Sequence, residues 1–91
     1  EETAPRPPDP HRELERKERA GRAREALERL SERDREALLL WDAGLSYRQI
    51  AEQTGLAVGA IGTTLARARQ RLVDAYEAQE TEKEADDAAH R

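Results

Sequence analysis

The chain has 91 residues, no cysteine and a formal net charge of −4. A chain of this length forms one small domain at most and buries only about 60% of its unfolded surface; without cysteine it has no disulfide, thiolate metal site or thiol nucleophile. No apolar run approaches the roughly 20 residues of a membrane span, and the start is acidic and proline-rich, so neither a signal peptide nor an anchor is visible. We expect a soluble, cytoplasmic protein with no membrane partner. Because the chain begins with Glu1 rather than Met, we expect a processed product or, as we favour, a piece excised from a longer protein.

The negative charge is concentrated at the two ends of the chain. Residues 1–10 carry −2 and residues 74–91 carry −5, whereas residues 11–44 are neutral. Residues 45–73 carry +3, from four arginines against one glutamate. A nucleic acid responds to the local charge that faces it rather than to the net charge of the chain. The acidic balance therefore does not exclude a nucleic-acid partner.

The first third of the chain predicts a linker followed by a charged helix. Residues 1–10 include four prolines, which remove backbone donors and favour extended chain, so we expect a linker there. Between His11 and Leu30, apolar residues recur every three or four positions among opposite charges such as Glu25 and Arg29, which predicts a first helix. Its first half has few apolar residues, and we expect that half to fray.

Two serines predict the starts of the next two helices. Ser31, with Asp34 three residues later, resembles a capping signal for a leucine-rich second helix from Glu32 to about residue 43, ending at Gly44. In the same way, Ser46 is expected to cap a third helix over about residues 47–54.

A fourth helix is predicted from about Val58 to Tyr76. The residues beyond it are acidic and alanine-rich and could extend this helix, but we expect disorder past about residue 80. The sequence therefore predicts an all-α protein: a four-helix domain with a C-terminal helix-turn-helix over residues 11–76, flanked by flexible tails, the Pro-rich linker 1–10 and the acidic tail 77–91.

The run from Gly44 to Leu72 has the apolar pattern of a helix-turn-helix. Glycine reaches positive φ at little cost, so Gly55 suits the tight turn. Ile50 and Ala51 then lie on the inner face of the first helix, and Leu56 plugs the turn. In the second helix one stripe is expected to pack and the opposite face to read DNA. The packing stripe is Ile61, Leu65, Ala68 and Leu72, and the open face is Gly59, Gly62, Thr63, Ala66, Arg67, Gln70 and Arg71.

Several side chains around this open face are candidates for DNA contact. Arg67 and Arg71 are suited to phosphates that flank the groove, as is Arg48 near the start of the third helix. Thr63 and Thr64 can bond base edges or offer a methyl group to thymine, although one of the two can instead pack. The predicted DNA-binding residues are Arg48, Ala60, Thr63, Thr64, Arg67 and Arg71.

Partner-binding residues are predicted on the leucine-rich second helix. Three successive leucines, Leu38 to Leu40, cannot all face one core, so at least one meets another protein or the first helix. Trp41 most simply closes the core between the second and third helices. The alternative is that it binds a partner, since aromatic anchors are enriched at interfaces. The predicted partner-binding residues are Leu39 and Trp41. Tyr47 is expected to pack at a helix start rather than to stack on a base.

The segment LERLSERDREALLLWDAGLSYRQIAEQTGLAVGAIGTTLARARQRL, about Leu27 to Leu72, resembles region 4 of the extracytoplasmic-function (ECF) sigma factors. That family follows roughly L(S/P)xxxRxxLLL and then GLSYxEIAxxLGxxxGTVxSRLxRARxxL. The resemblance implies that the recognition helix reads the promoter −35 element and that other surfaces hold the β-flap of RNA polymerase. It also implies an anti-sigma factor as a further partner, and a region 2 preceding the linker and first helix.

Three positions depart from the family pattern. Where the family commonly has a basic residue, serine and arginine, this chain has Gly62, Thr63 and Thr64. Two potential DNA contacts are lost, and each lost phosphate contact lowers the salt dependence of binding by about one unit, so we expect weak binding by the isolated domain. Gly62 also costs roughly 1 kcal/mol in a helix interior relative to alanine. It either lets the backbone approach DNA or a partner closely, or it is a tolerated variant.

Two other functions remain open at the level of sequence. A LuxR-type DNA-binding output domain shares the leucine-rich helix, GLS, IA and the four-helix layout, but its recognition helix usually ends HxxxIxxKL, whereas this one ends LARARQRL. A protein-interaction module, bound mainly by an anti-sigma factor or polymerase, is credible because of Gly62 and Thr64.

No catalytic arrangement is visible. His11 and His90 lie near the ends, Asp86 and Asp87 lack a scaffold, and no glycine-rich phosphate loop follows a strand. We predict that the protein is not an enzyme and has no catalytic residue, metal site or cofactor.

Overall fold

The computed structural model describes residues 7–89 and contains, within them, four α-helices and no strand. Helix α1 spans Pro10–Glu28, α2 Glu32–Asp42, α3 Tyr47–Thr54 and α4 Val58–Ala89. The all-α, four-helix prediction is confirmed over this range. None of these helices combines the length and the apolar character needed to cross a membrane. Residues 1–6 of the predicted linker and residues 90–91, including His90, lie outside the described residues.

The first two helices begin at capping side chains. Asp9 accepts a hydrogen bond from the backbone N–H of His11 at 3.0 Å, and Pro10 occupies the first helical position, where a missing N–H is harmless. α1 therefore begins one residue earlier than predicted. Ser31 accepts a bond from the backbone N–H of Asp34 at 3.2 Å, which fixes the start of α2 at the predicted residue.

The third helix is bounded by a capping box and a left-handed glycine. The Ser46 hydroxyl accepts from the Gln49 backbone N–H at 3.2 Å, and the Gln49 side chain accepts from the Ser46 backbone N–H at 2.9 Å. Gly55, at φ +78°, ends α3, as the predicted turn requires. Gly44, at φ +95°, follows α2 in the same manner.

The apolar core lies between α2, α3 and the N-terminal half of α4. The predicted inner-face residues of the helix-turn-helix are buried, except that Leu72 is only half-buried. Leu56 packs against this core from the turn, also as predicted. Replacing a buried Ile or Leu by alanine in such a core costs about 2–5 kcal/mol. The core consists of Ala37, Ile50, Ala51, Ile61 and Leu65, with Leu38, Leu40, Leu45 and Leu56 packed against it.

Helix α4 does not end near Tyr76, as the sequence predicted, but continues to Ala89. The expectation of disorder past about residue 80 was therefore wrong for the described residues. α1 packs against α4, and its contacts extend beyond the helix-turn-helix part of α4. A charged segment gains little helical stability from its own sequence in water, and tertiary contacts supply what is missing.

Several contacts between α1 and the second half of α4 are made by polar side chains. The Gln79 amide, on a side chain only 7% exposed, donates to the backbone carbonyl of Arg22 at 2.7 Å. The Arg22 guanidinium lies over the Tyr76 ring and donates to its hydroxyl at 3.3 Å from Nη2, which raises the pKa of Arg22. Arg29 makes two hydrogen bonds to Glu82, at 3.3 and 3.2 Å, which raise its pKa. The predicted acidic tail is therefore part of the folded unit as far as Glu82.

Candidate nucleic-acid interface

The turn between α3 and α4 is fixed by hydrogen bonds as well as by its glycine. The Thr54 hydroxyl donates to the Ile50 carbonyl at 2.8 Å and accepts from the Leu56 backbone N–H at 3.3 Å. Gly55 lies between these bonds in the left-handed conformation. Since Ile50 and Leu56 both contact the core, the turn holds the start of α4 at a set position relative to α3.

One face of the first half of α4 is exposed. Gly59, Thr63, Ala66, Arg67 and Gln70 recur at helical spacing along it, and Ala60 lies half-buried at its edge. Most of this face consists of small or uncharged side chains. This face can therefore donate and accept hydrogen bonds and can approach a partner closely, and Arg67 supplies its positive charge.

Two residues predicted on or near this face lie elsewhere. Thr64 is only 4% exposed, so it packs in the interior and does not present its hydroxyl to DNA. Gly62 is half-buried, and a Cβ at that position would lie 3.5 Å from Cε2 of Tyr47. It therefore faces α3 and not the open face. An alanine Cβ would make only ordinary contact with the tyrosine ring, so the site does not require glycine, which favours the tolerated variant over a close approach to DNA.

The arginines of this region fall into two groups. Arg48 in the first turn of α3, and Arg67 and Arg69 on α4, are exposed, and within residues 7–89 their guanidinium groups make no ion pair or hydrogen bond. Arg71 differs, because its Nη1 lies 2.7 Å from Oδ2 of Asp34 on α2. The predicted phosphate contact at Arg71 is corrected accordingly: its guanidinium is bound by a carboxylate whose side chain is only 3% exposed.

The two predicted partner-binding residues, Leu39 and Trp41, are both exposed, but they lie two positions apart on α2 and project to different sides of the helix. Leu39 is 50% exposed, while its neighbours Leu38 and Leu40 pack against the core, so the leucine run divides as expected. Trp41 was expected to close the core between α2 and α3, but it is 42% exposed and packs its ring against Tyr47, with centroids 5.5 Å apart. We call Trp41 and Tyr47 the α2–α3 patch; Leu39 is a separate exposed leucine on α2.

Sequence reasoning missed two features of this region. Asp34 was recognised only as part of a capping signal, and nothing in the local pattern connects it to Arg71, 37 positions away. Arg69 was counted in the basic charge but not among the candidate contacts, although its side chain is exposed. Over the described range, no group of three or more His, Cys, Asp or Glu side chains is placed to hold a metal ion.

The turn, the buried stripe and the exposed face together define a helix-turn-helix domain. The chain matches the family described as Sigma-70, region 4, over residues 20–72, more than half of its length. It therefore belongs to the sigma-70 region 4 family. No curated protein and no solved structure matches the chain.

The family fixes the general role of the domain. Region 4 is a DNA-binding domain of sigma factors, which direct RNA polymerase to promoters, so DNA and polymerase are its general partners. The match covers the end of α1, all of α2 and α3, and α4 as far as Leu72. The second half of α4 lies outside it.

Proposed function

We propose that the chain is region 4 of an ECF-type sigma factor, which reads the promoter −35 element and docks on the β-flap of RNA polymerase in the cytoplasm. The ECF assignment is supported by the GLSYRQIA and LARARQRL segments. The observation that carries the proposal is the exposed face at the start of α4, held by the turn at Gly55 and flanked by arginines without a partner in the described chain.

In the proposed complex the first half of α4 enters the major groove. In this proposal Thr63 and Ala60 contact base edges, and Arg67 and Arg48 contact phosphates on the flanking strands. A helix-turn-helix reads bases with the early residues of its second helix, which in this chain are small. Recognition of the base sequence is therefore expected to rely on few direct contacts with bases.

The α2–α3 patch is the proposed docking surface for the β-flap. Exposed apolar side chains that group together mark protein-binding sites more often than isolated ones do. Trp41 of this patch and the separate exposed Leu39 lie on α2, whereas the face proposed for DNA lies on α4, so polymerase and DNA would use different helices of the domain. Aromatic residues such as Trp41 also contribute disproportionately to interface energies.

The docking proposal is tested by a pull-down of the full chain with the isolated β-flap of bacterial RNA polymerase. We expect binding by the native chain and a loss of at least tenfold, about 1.4 kcal/mol, in the variants Leu39→Ala and Trp41→Ala. Leu14→Ala is the matched control, because Leu14 is an exposed leucine on α1. No flap binding by a folded native chain would contradict the proposal.

The DNA proposal is tested by selecting duplexes from a randomised pool with the full chain. We expect one enriched sequence, and weaker binding by Arg67→Ala at every sequence, because a phosphate contact carries no base information. Arg24→Ala, which removes an exposed arginine from α1, is the control. Enrichment of no sequence, even in the presence of polymerase, would contradict −35 reading.

A second candidate function is a module that binds mainly protein, such as an anti-sigma factor, with little DNA reading. The exposed α2–α3 patch and the scarcity of charge on the α4 face favour it. The same two experiments separate the candidates, since this function predicts patch-dependent protein binding without sequence selection. A LuxR-type output domain is disfavoured by the sigma-70 region 4 match and by the ending of the recognition helix.

A further inference from the structure

Asp34 is a buried carboxylate paired with an arginine of the recognition helix. Its Oδ2 accepts from Nη1 of Arg71 at 2.7 Å, and its side chain is only 3% exposed, against 54% for that of Arg71. Its backbone N–H is held by the Ser31 hydroxyl at the first turn of α2. A carboxylate so far from water is stabilised only if it is paired, so the fold itself requires a cation at this point.

Arg71 leaves α4 on the side that faces α2. It follows Thr64 by seven residues, which is nearly two helical turns, so the two side chains project from almost the same side. Thr64 is buried, whereas Thr63 and Ala66 on the other side are exposed. Arg67 lies closer to the exposed face than Arg71 does.

We propose that Asp34 withdraws Arg71 from nucleic acid, so that Arg67 but not Arg71 supplies a phosphate contact from α4. Turning Arg71 to an exposed phosphate would leave a buried carboxylate without a partner, and breaking a buried pair costs far more than a solvent-screened contact returns. This inference rests on the DNA binding in the proposed function. It adds Asp34 as the positioning residue that sets the number of phosphate contacts.

A consequence is lower affinity for DNA of any sequence. Each phosphate contact steepens the fall of log K with log salt by about one unit. Binding that depends on fewer such contacts is weaker at all sequences and more dependent on a second attachment, such as the one proposed for the α2–α3 patch.

The test is the salt dependence of binding to a short duplex of random sequence, measured with the full chain. Asp34→Asn keeps the shape of the side chain but removes its charge, and we expect a slope steeper by about one unit because Arg71 is released to the phosphates. Arg71→Met should leave the native slope unchanged. The double variant Asp34→Asn with Arg71→Met should return to the native slope, which a loss of structure alone would not produce.

Glu36→Gln is the matched control for charge. Glu36 is exposed on the same helix, so its replacement changes the net charge as Asp34→Asn does without releasing an arginine, and the native slope is expected. A lower slope in Arg71→Met would overturn the inference, because Arg71 would then contact DNA despite its pair. The native slope in Asp34→Asn, or no binding by either chain at the lowest salt, would overturn it as well.

Failure of the proposed function would look different. A chain that binds duplex DNA but selects no sequence and does not bind the β-flap would contradict the sigma role. The salt slopes of the native chain, the two single variants and the double variant would still decide whether Asp34 withdraws Arg71. Circular dichroism of each variant confirms that slopes are compared between folded chains.

Discussion

The two halves of α4 form one continuous helix but differ in charge and in what holds them. Residues 58–72 carry three arginines and no acidic residue, whereas residues 73–89 carry seven acidic residues against one lysine. The first half packs an apolar stripe on α2 and α3, and the second is joined to α1 by polar side chains. A neighbouring helix can therefore extend α4 without extending its DNA-binding surface, since the acidic half repels DNA phosphates.

The largest expected effect comes from breaking the apolar half. Leu65→Ala should lower the free energy of unfolding by about 2–5 kcal/mol, because Leu65 is fully buried in the core. Urea unfolding followed by circular dichroism measures it. Val73→Ala on the same helix is the control, since Val73 is exposed and its loss should change stability by about 0.5 kcal/mol at most. Equal losses in the two variants would contradict the assigned core.

A smaller effect is expected from breaking the polar half. Gln79→Leu removes the bond to the Arg22 carbonyl and should cost about 1 kcal/mol. Hydrogen exchange should become faster at residues 80–86 while residues 61–72 keep their protection, because the core does not use this bond. Gln70→Leu, at an exposed glutamine bonded within α4, is the control. Faster exchange across all of α4 would mean that the two halves open together.

An increase in stability is expected at Gly62. Gly62→Ala should raise the free energy of unfolding by up to about 1 kcal/mol, since alanine is the better helix former and its Cβ would make ordinary contact with Tyr47. Thermal unfolding measures the gain, and DNA affinity should not change. Gly55→Ala gives the opposite sign, a loss of roughly 1–2 kcal/mol, because φ is +78° there. Weaker DNA binding by Gly62→Ala would restore the close-approach explanation.

The smallest effect is expected at the pair between Arg29 and Glu82. Both side chains are largely exposed, so Glu82→Gln should lower the free energy of unfolding only slightly at low salt and not measurably at high salt. Urea unfolding at the two salt concentrations tests this, with Glu84→Gln as the control at an exposed neighbour. A loss of stability that persists at high salt would show that the pair contributes more than a solvent-screened electrostatic attraction.

The parts of the fold that depend on neighbours in sequence could be predicted from sequence. Ser31, Ser46 and Gly55 act through the backbone of the next few residues, so their patterns located the starts of α2 and α3 and the turn. The buried stripe of α4 was likewise predicted, because helical periodicity alone marks it.

The parts that depend on distant residues could not be predicted. The bonds of Asp34 to Arg71 and of Gln79 to Arg22 join residues 37 and 57 positions apart, and no local pattern marks either. The end of α4 was misplaced for the same reason, since α1 stabilises a charged segment that alone would not hold a helix. Trp41 was misplaced because burial was inferred from its apolar character, whereas its ring packs on that of Tyr47 and stays 42% exposed.

We propose that the first half of α4 reads DNA while the second half serves as scaffold. This proposal can be tested by NMR of the ¹⁵N-labelled full chain, titrated with a duplex selected by the chain. We predict shifts at Arg48 and over residues 57–67, with residues 77–89 and α1 unaffected. Shifts centred on α1 or on the acidic half of α4 would contradict the account.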